Sequence, residues 1–285
     1  MLHENLSDCS GKFSFRQVDV FSSRPLKGNP LAVVLEADGF PEQKMGAFAN
    51  WMNLSETSFL LRPINPQADY RVRIFTPSGE LPFAGHPTLG SCHAWLTSTA
   101  PPEGRDIVQE CGAGLVRIRR DSGRLAFAGP PLIRTGAVEE DVLARIKLGL
   151  GVSDADIVVA QWVDNGPGWL ALLLKSHTTA LALKPDFAMI AGIRVGIVAP
   201  VQAGDTDFEV RAFSAAGFED PVTGSLNAGI AQWLIKSGIA PSSYTARQGT
   251  VLGREGTVYV TQDGNDIWIG GHVVTCIEGQ LSLEE

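Results

Sequence analysis

The sequence predicts an α+β protein of two similar halves, each a curved, mostly antiparallel, barrel-like sheet around a central helix. Three observations carry that expectation. The chain contains a copy of itself: Tyr70-Arg71-Val72-Arg73-Ile74-Phe75-Thr76 aligns with Phe208-Glu209-Val210-Arg211-Ala212-Phe213-Ser214 as aromatic, x, Val, Arg, x, Phe, hydroxyl, with Gly79 and Gly217 at matching positions. The offset, 208 − 70 = 138, is close to half of the 285-residue chain. It is well beyond solenoid periods, which run to about 50 residues. Each half is also a series of short strand-like runs, and each holds one stretch with few charges (88–96 and 224–236) that reads as a helix. A helix apolar on most of its surface must be wrapped on most sides, and a rolled sheet does this.

The elements follow in order. Residues 13–21 alternate as a strand does, and 31–35 is a β-branched run. Pro41 suits a helix entry, and Met45, Phe48, Ala49 and Met52 recur on one helical face. Residues 53–56 end that helix, and 57–61 and 71–75 read as strands. The helix over 88–96 comes next, then short strands at 107–109, 115–119 and 125–128, punctuated by glycine. Ala128-Gly129-Pro130-Pro131 is the natural break, giving halves 1–128 and 129–285. The second half reads as a helix at 138–150, strands at 157–161 and 169–174, and a helix at 177–183 before Pro185. Strands at 194–198 and 208–213, the helix at 224–236, and strands at 245–248, 257–261 and 267–274 complete it. Residues 280–285 are expected to pack back on the first half.

Composition narrows the function. The chain is 44% hydrophobic and 19% charged, as globular proteins are, with a net charge of −8. Lys and Arg are scattered, so no basic stripe offers a nucleic-acid partner a grip. No apolar run approaches the ~18 residues of a membrane span. Residues 1–12 are polar, lack the apolar centre of a signal peptide and read as a ragged tail. Cys9, Cys92, Cys111 and Cys276 show no paired spacing, which favours reduced, structural thiols in a cytoplasmic protein. His3, His93, His177 and His272 lack partners at metal-ligand spacing, and Gly112-Ala113-Gly114 lacks the further glycine and helix of a nucleotide loop. Neither metal nor cofactor is expected.

The chemistry concentrates where each copy of the repeat turns into its helix. Gly85-His86-Pro87-Thr88 and Asp220-Pro221-Val222-Thr223 each place a proline where a first helical turn needs no amide hydrogen. Asp220 reads as an N-cap, with His86 in the equivalent place. Free N–H groups at such starts suit an anion, for example a substrate carboxylate. Gly85 and Gly224 are expected to leave room for a ligand beside the backbone. Glu56, in Asn53-Leu54-Ser55-Glu56-Thr57, lies between apolar stretches where shelter can raise a carboxyl towards neutrality and let it exchange protons. Each residue has a plainer reading, as a cap, a loop histidine or a solvated helix-end glutamate. Their recurrence at both copies of the repeat favours a site between the halves.

Six segments in order resemble the phenazine biosynthesis PhzF family, which belongs to the wider diaminopimelate-epimerase-like fold. They are Val18-Asp19-Val20-Phe21, Gly28-Asn29-Pro30, Asn53-Leu54-Ser55-Glu56-Thr57, Arg73-Ile74-Phe75-Thr76-Pro77, Phe83-Ala84-Gly85-His86-Pro87-Thr88-Leu89-Gly90 and Glu219-Asp220-Pro221-Val222-Thr223-Gly224-Ser225. The resemblance spans nearly the whole chain. It implies an active site between two matching halves, a homodimer, and a cofactor-independent isomerase acting on trans-2,3-dihydro-3-hydroxyanthranilate or another small carboxylate. It places the catalytic glutamate on Glu56, which would move a proton between two ring carbons. His86 and Asp220 would steady the ring, and Gly85, Gly224 and Ser225 would contact the ligand. Two alternatives stand beside this: an amino-acid epimerase or racemase, and a non-catalytic ligand-binding or protein-interaction module. Related epimerases and racemases use a thiol at each helix start, but those places align here with Gly85 and Asp220. Cys92 falls two turns into the helix and reads as core, and Cys111 sits in a hairpin turn.

Overall fold

In the computed structural model, which describes residues 11–102 and 104–283, eighteen strands join into one continuous hydrogen-bonded network. Of the expected tail, residues 1–10 with Cys9 lie outside the described residues, whereas Lys12 already opens the first strand and pairs with Ser282. The first half comprises β1 (Lys12–Val20), β2 (Asn29–Val34), α1 (Glu42–Met52), β3 (Thr57–Leu61), β4 (Tyr70–Thr76), β5 (Gly79–Leu81), α2 (Gly85–Thr99), β6 (Ile107–Cys111), β7 (Gly114–Asp121) and β8 (Arg124–Ala128). There follow β9 (Arg134–Ala137), α3 (Glu140–Leu150), β10 (Ile157–Asp164), β11 (Trp169–Leu174), α4 (His177–Ala182), β12 (Arg194–Pro200), β13 (Phe208–Phe213), β14 (Glu219–Asp220) and α5 (Gly224–Lys236). The chain closes with β15 (Ser243–Gln248), β16 (Gly256–Asp263), β17 (Asp266–Gly271) and β18 (Val273–Ser282).

Pairing exposes a duplication deeper than the sequence repeat. The first sheet runs β18-β1-β2-β3-β4-β6-β7-β8, with β2–β3 and β4–β6 parallel and every other pair antiparallel. The second runs β9-β10-β11-β12-β13-β15-β16-β17, with β11–β12 and β13–β15 parallel at the matching places. The short strands β5 and β14 form hairpins on β4 and β13. Parallel neighbours need a crossover, and α1 and α4 supply it at equivalent points. The sheets join where β8 pairs antiparallel with β17.

Each sheet curls around one helix, as the charge-poor stretches predict. α2 packs against β1, β2, β3, β8 and β18, and α5 against β10, β11, β16 and β17. Leu89, Cys92 and Ala94 of α2 and Leu226, Ala228, Ile230, Ala231 and Leu234 of α5 are buried in one shared core. Removing such faces from water contributes roughly 25 cal/mol per Å². No helix of the described residues is long and apolar enough to cross a membrane.

Three sequence readings need revision. The helix read at 88–96 starts at Gly85, because Gly85, His86 and Pro87 all fit its first turn. The helix read at 138–150 starts at Glu140, leaving Val138 as a buried residue ahead of it. The single strand read at 267–274 is two, broken at His272: β17 completes the second sheet and β18 leaves to pair with β1.

Candidate active site

The starts of α2 and α5 meet, and the caps are not those the sequence suggested. α2 is capped by Ala84 in an extended conformation (φ −152°, ψ 142°), so His86 is its second residue rather than its cap. α5 is capped by Thr223 (φ −116°, ψ 103°), whose carbonyl accepts from Asn227 N at 3.1 Å. Asp220 lies four residues ahead of α5, in β14, paired with Ala212 of β13. Asp220 and Pro221 therefore stand outside the helix. The second hairpin also holds one extra residue, which shifts the offset between the copies from 138 to 139 (219 − 80). Arg73 bonds Glu80 seven positions on, whereas Arg211 bonds Glu219 eight positions on. Beyond that insertion Gly85 matches Gly224 and His86 matches Ser225, not Asp220.

The two glycines are needed for contact between the helices. A Cβ on Gly85 would lie 2.5 Å from Phe127 Cζ and 3.3 Å from the Gly224 Cα, and one on Gly224 would lie 3.2 Å from the Gly85 Cα. On the side where a Cβ would point, each glycine is met by Phe127 and by the other's backbone.

Three of the expected residues converge beside this contact. α1 ends where Asn53 adopts a left-handed conformation (φ 52°) and its N–H returns to Ala49 O, which turns the chain towards Ser55 and Glu56 just before β3. Glu56 Oε2 lies 3.3 Å from His86 Nδ1, the two side chains being 17% and 5% exposed. This is close approach without an aligned hydrogen bond, and both Glu56 Oε2 and His86 Nε2 are buried and unpartnered. Burial, and then the nearby Asp220, pushes the Glu56 carboxyl up to about 8. Burial drives His86 down to about 3, against an opposing contribution from the Pro30 carbonyl, so the imidazole is neutral. Asp220 is pushed up to about 6 by burial, opposed by Thr223, Asn29 and Ser55. Its Oδ1 accepts from Asn29 Nδ2 at 3.1 Å and Ser55 Oγ at 3.2 Å, and its Oδ2 accepts from Thr223 Oγ1.

Ser225 is anchored apart from this trio: its Oγ accepts from Trp169 Nε1 at 3.1 Å, and its carbonyl accepts from Asn165 Nδ2 at 2.9 Å. Sequence reasoning gave no role to Asn29, Thr223 or Gln248. Asn29 is placed by Asp19, whose buried carboxylate accepts from the Lys27 and Gly28 N–H groups and fixes the turn before it. The Gly28-Asn29-Pro30 segment was the one available signal for Asn29. Gln248, fully buried at the end of β15, bonds Asp220, Thr223 and Asn227 and left no trace in pattern or spacing. The thiols stay away: Cys92 is buried within α2 and pushed up to about 12 by burial, and Cys111 closes the β6–β7 turn opposite Gly114. Among the described residues, no three His, Cys, Asp or Glu side chains are grouped to hold a metal ion.

Two barrel-like sheets whose central helices abut, with sheltered titratable side chains beside the contact, define an α+β protein of the epimerase-like fold. The chain belongs to the phenazine biosynthesis-like (PhzC-PhzF) family, whose model matches residues 18–279. It is 34% identical to the Schizosaccharomyces pombe protein named Antisense-enhancing sequence 1, over 94% of this chain and 98% of that one. It is 31% identical to the trans-2,3-dihydro-3-hydroxyanthranilate isomerase of Pseudomonas fluorescens, over 93% of this chain and 98% of that one. The crystal structure of a PhzF-family protein from Enterococcus faecalis superposes with a TM-score of 0.80 at 25% identity, covering 95% and 100% of the two chains.

Proposed function

We propose that this protein is a cofactor-independent isomerase that moves a proton between two carbons of a small, cyclic carboxylate, with Glu56 as acid and base. The observation that supports this reading best is the sheltered Glu56 carboxyl, 3.3 Å from a neutral His86 and pushed up to about 8. A group that titrates near the working pH exists in both forms, as a residue that must take and return a proton requires. In the reaction, the Glu56 carboxylate removes a proton from one carbon and the electrons of that C–H bond shift into the ring. Glu56 then returns the proton to a second carbon, leaving atoms and charge balanced. His86, being neutral, orients the ring through a hydrogen bond accepted at its unpartnered Nε2 rather than by charge. Asp220 holds a ring substituent, while the N–H groups at Gly85 and Gly224 and the Ser225 hydroxyl receive the carboxylate.

An epimerase using two thiols has little to stand on, since glycines begin both helices and Cys92 is buried. We also propose two halves divided after Ala128, and a cytoplasmic homodimer, which light scattering on the purified protein tests directly.

The deciding experiment incubates trans-2,3-dihydro-3-hydroxyanthranilate with the protein and with Glu56→Gln in D2O, followed by NMR. Isomerisation with label incorporation that disappears in Glu56→Gln is the expected result. Turnover undiminished in Glu56→Gln would overturn the assignment. Absence of both turnover and exchange in the parent protein would remove this substrate.

A further inference from the structure

Two half-buried carboxyl groups share the site, yet their surroundings differ. Every contact to Asp220 comes from a donor. The Asn29 side-chain amide has a fixed orientation, because its Nδ2 also donates to the Val222 carbonyl at 2.9 Å, a group that can only accept. Its bond to Asp220 Oδ1 is therefore N–H to oxygen. Gln248 is fixed in the same way. Its Oε1 receives the Thr223 backbone N–H at 3.1 Å, and its Nε2 faces the Asp220 backbone carbonyl at 3.1 Å. A second donor, Asn227 Nδ2 at 2.9 Å, also meets Oε1. No flipped amide satisfies these partners.

One consequence reaches the carboxylate. Gln248 Nε2 also donates to Thr223 Oγ1 at 3.1 Å. A hydroxyl has a single hydrogen, so with its oxygen occupied by an incoming N–H, Thr223 directs that hydrogen to Asp220 Oδ2. The chain of bonds has one direction only, from Gln248 through Thr223 to Asp220. Glu56, in contrast, receives no hydrogen bond at Oε2.

We propose that Gln248 and Thr223 are positioning residues that form a one-way hydrogen-bond relay, holding Asp220 as the anion and leaving Glu56 as the proton carrier. The relay deepens the proposed function and rests on it for its catalytic meaning, though not for its physical content. Hydrogen bonds to a charged carboxylate favour the charged form, and the neighbouring negative charge favours the protonated form of Glu56. The two groups titrate as a pair, so the measurable quantities are two apparent steps.

The test follows carboxyl 13C chemical shifts against pH in the substrate-free protein, with Asp220→Asn and Glu56→Gln for assignment. Thr223→Val, which removes the hydroxyl, is expected to raise the lower step by about one unit or more, while Thr223→Ser leaves both steps in place. Gln248→Met, which frees the Thr223 hydroxyl to turn away, is expected to raise the lower step by less and provides the readout if Thr223→Val does not fold. Unmoved steps in the folded variants, or equal movement in Thr223→Ser and Thr223→Val, would overturn the relay. Because no substrate is present, this outcome is separate from failure of the isomerase reading. With a turned-over substrate, the acidic limb of kcat/KM moves in the same direction, a change that general loosening of the fold would not produce.

Discussion

The same arginine stands in both copies of the repeat, and the two copies use it differently. Arg73 of β4 makes a two-pronged ion pair with Glu80, at 2.7 and 2.8 Å, and Arg211 of β13 does so with Glu219, at 2.9 and 2.7 Å. Each guanidinium also lies over the phenylalanine two residues on, 5.3 Å from the Phe75 ring and 5.0 Å from Phe213. The first pair is on the surface, with side chains 24% and 41% exposed, and Arg73 also reaches Glu42. The second is 2% and 9% exposed, and Arg211 further donates to the Ala180 and Leu183 carbonyls. Duplication copied the geometry, and burial then changed what it is worth. Glu219 immediately precedes Asp220, so the buried pair fixes the strand that delivers a site carboxylate. A neighbouring pair shows the same freedom with sign: Arg71 faces Glu110 across β4 and β6, whereas Glu209 faces Arg247 across β13 and β15.

Breaking the buried pair is expected to have the largest effect. Arg211→Met leaves Glu219 and two carbonyls without their donor, and a loss of about 3–5 kcal/mol in urea unfolding is expected. The helix contact comes next. Gly85→Ala drives a methyl group into Phe127, costing about 1–3 kcal/mol by the same measurement. Gly224→Ala, with its closest neighbour 3.2 Å away, should cost less. A thermal-melt series against pH sharpens the contrast between the carboxyls. In the folded chain Glu56 keeps its proton to about 8, whereas unfolded it is released near 4.5. That difference costs stability increasingly as pH climbs from about 4.5 to about 8. Glu56→Gln should therefore melt roughly 3–10 °C above the parent at pH 8, with the advantage gone by pH 4.5. The smallest effect belongs to the exposed pair, where Arg73→Met should cost about 0.2–1 kcal/mol and be further screened by salt.

What the sequence could disclose follows from the range of the forces involved. The β4 and β13 copies were legible because alternation and spacing are local, and the central helices were legible because few charges can be wrapped. The cap positions were misread for an equally local reason. Asp220-Pro221 looks like the opening of a helix, but Asp220 is held in β14 by its pairing with β13, and the helix is capped three residues later at Thr223. Glu56, His86 and Asp220 were found as residue types in suggestive places and through family resemblance. Their shared environment needed the fold, because Asn29, 191 positions from Asp220, and Gln248, 28 positions away, meet it only through tertiary packing.

The return of β18 to β1 has a consequence for biosynthesis. Val20 pairs with Val273, and Lys12 with Ser282. During translation, β1 leaves the ribosome roughly 250 residues before its partner, a wait on the order of 10–50 s at ordinary elongation rates. Until then the first barrel has an open seam along its opening strand. Nascent copies on neighbouring ribosomes could add a strand there, so β1 is the segment for which early chaperone protection would matter most.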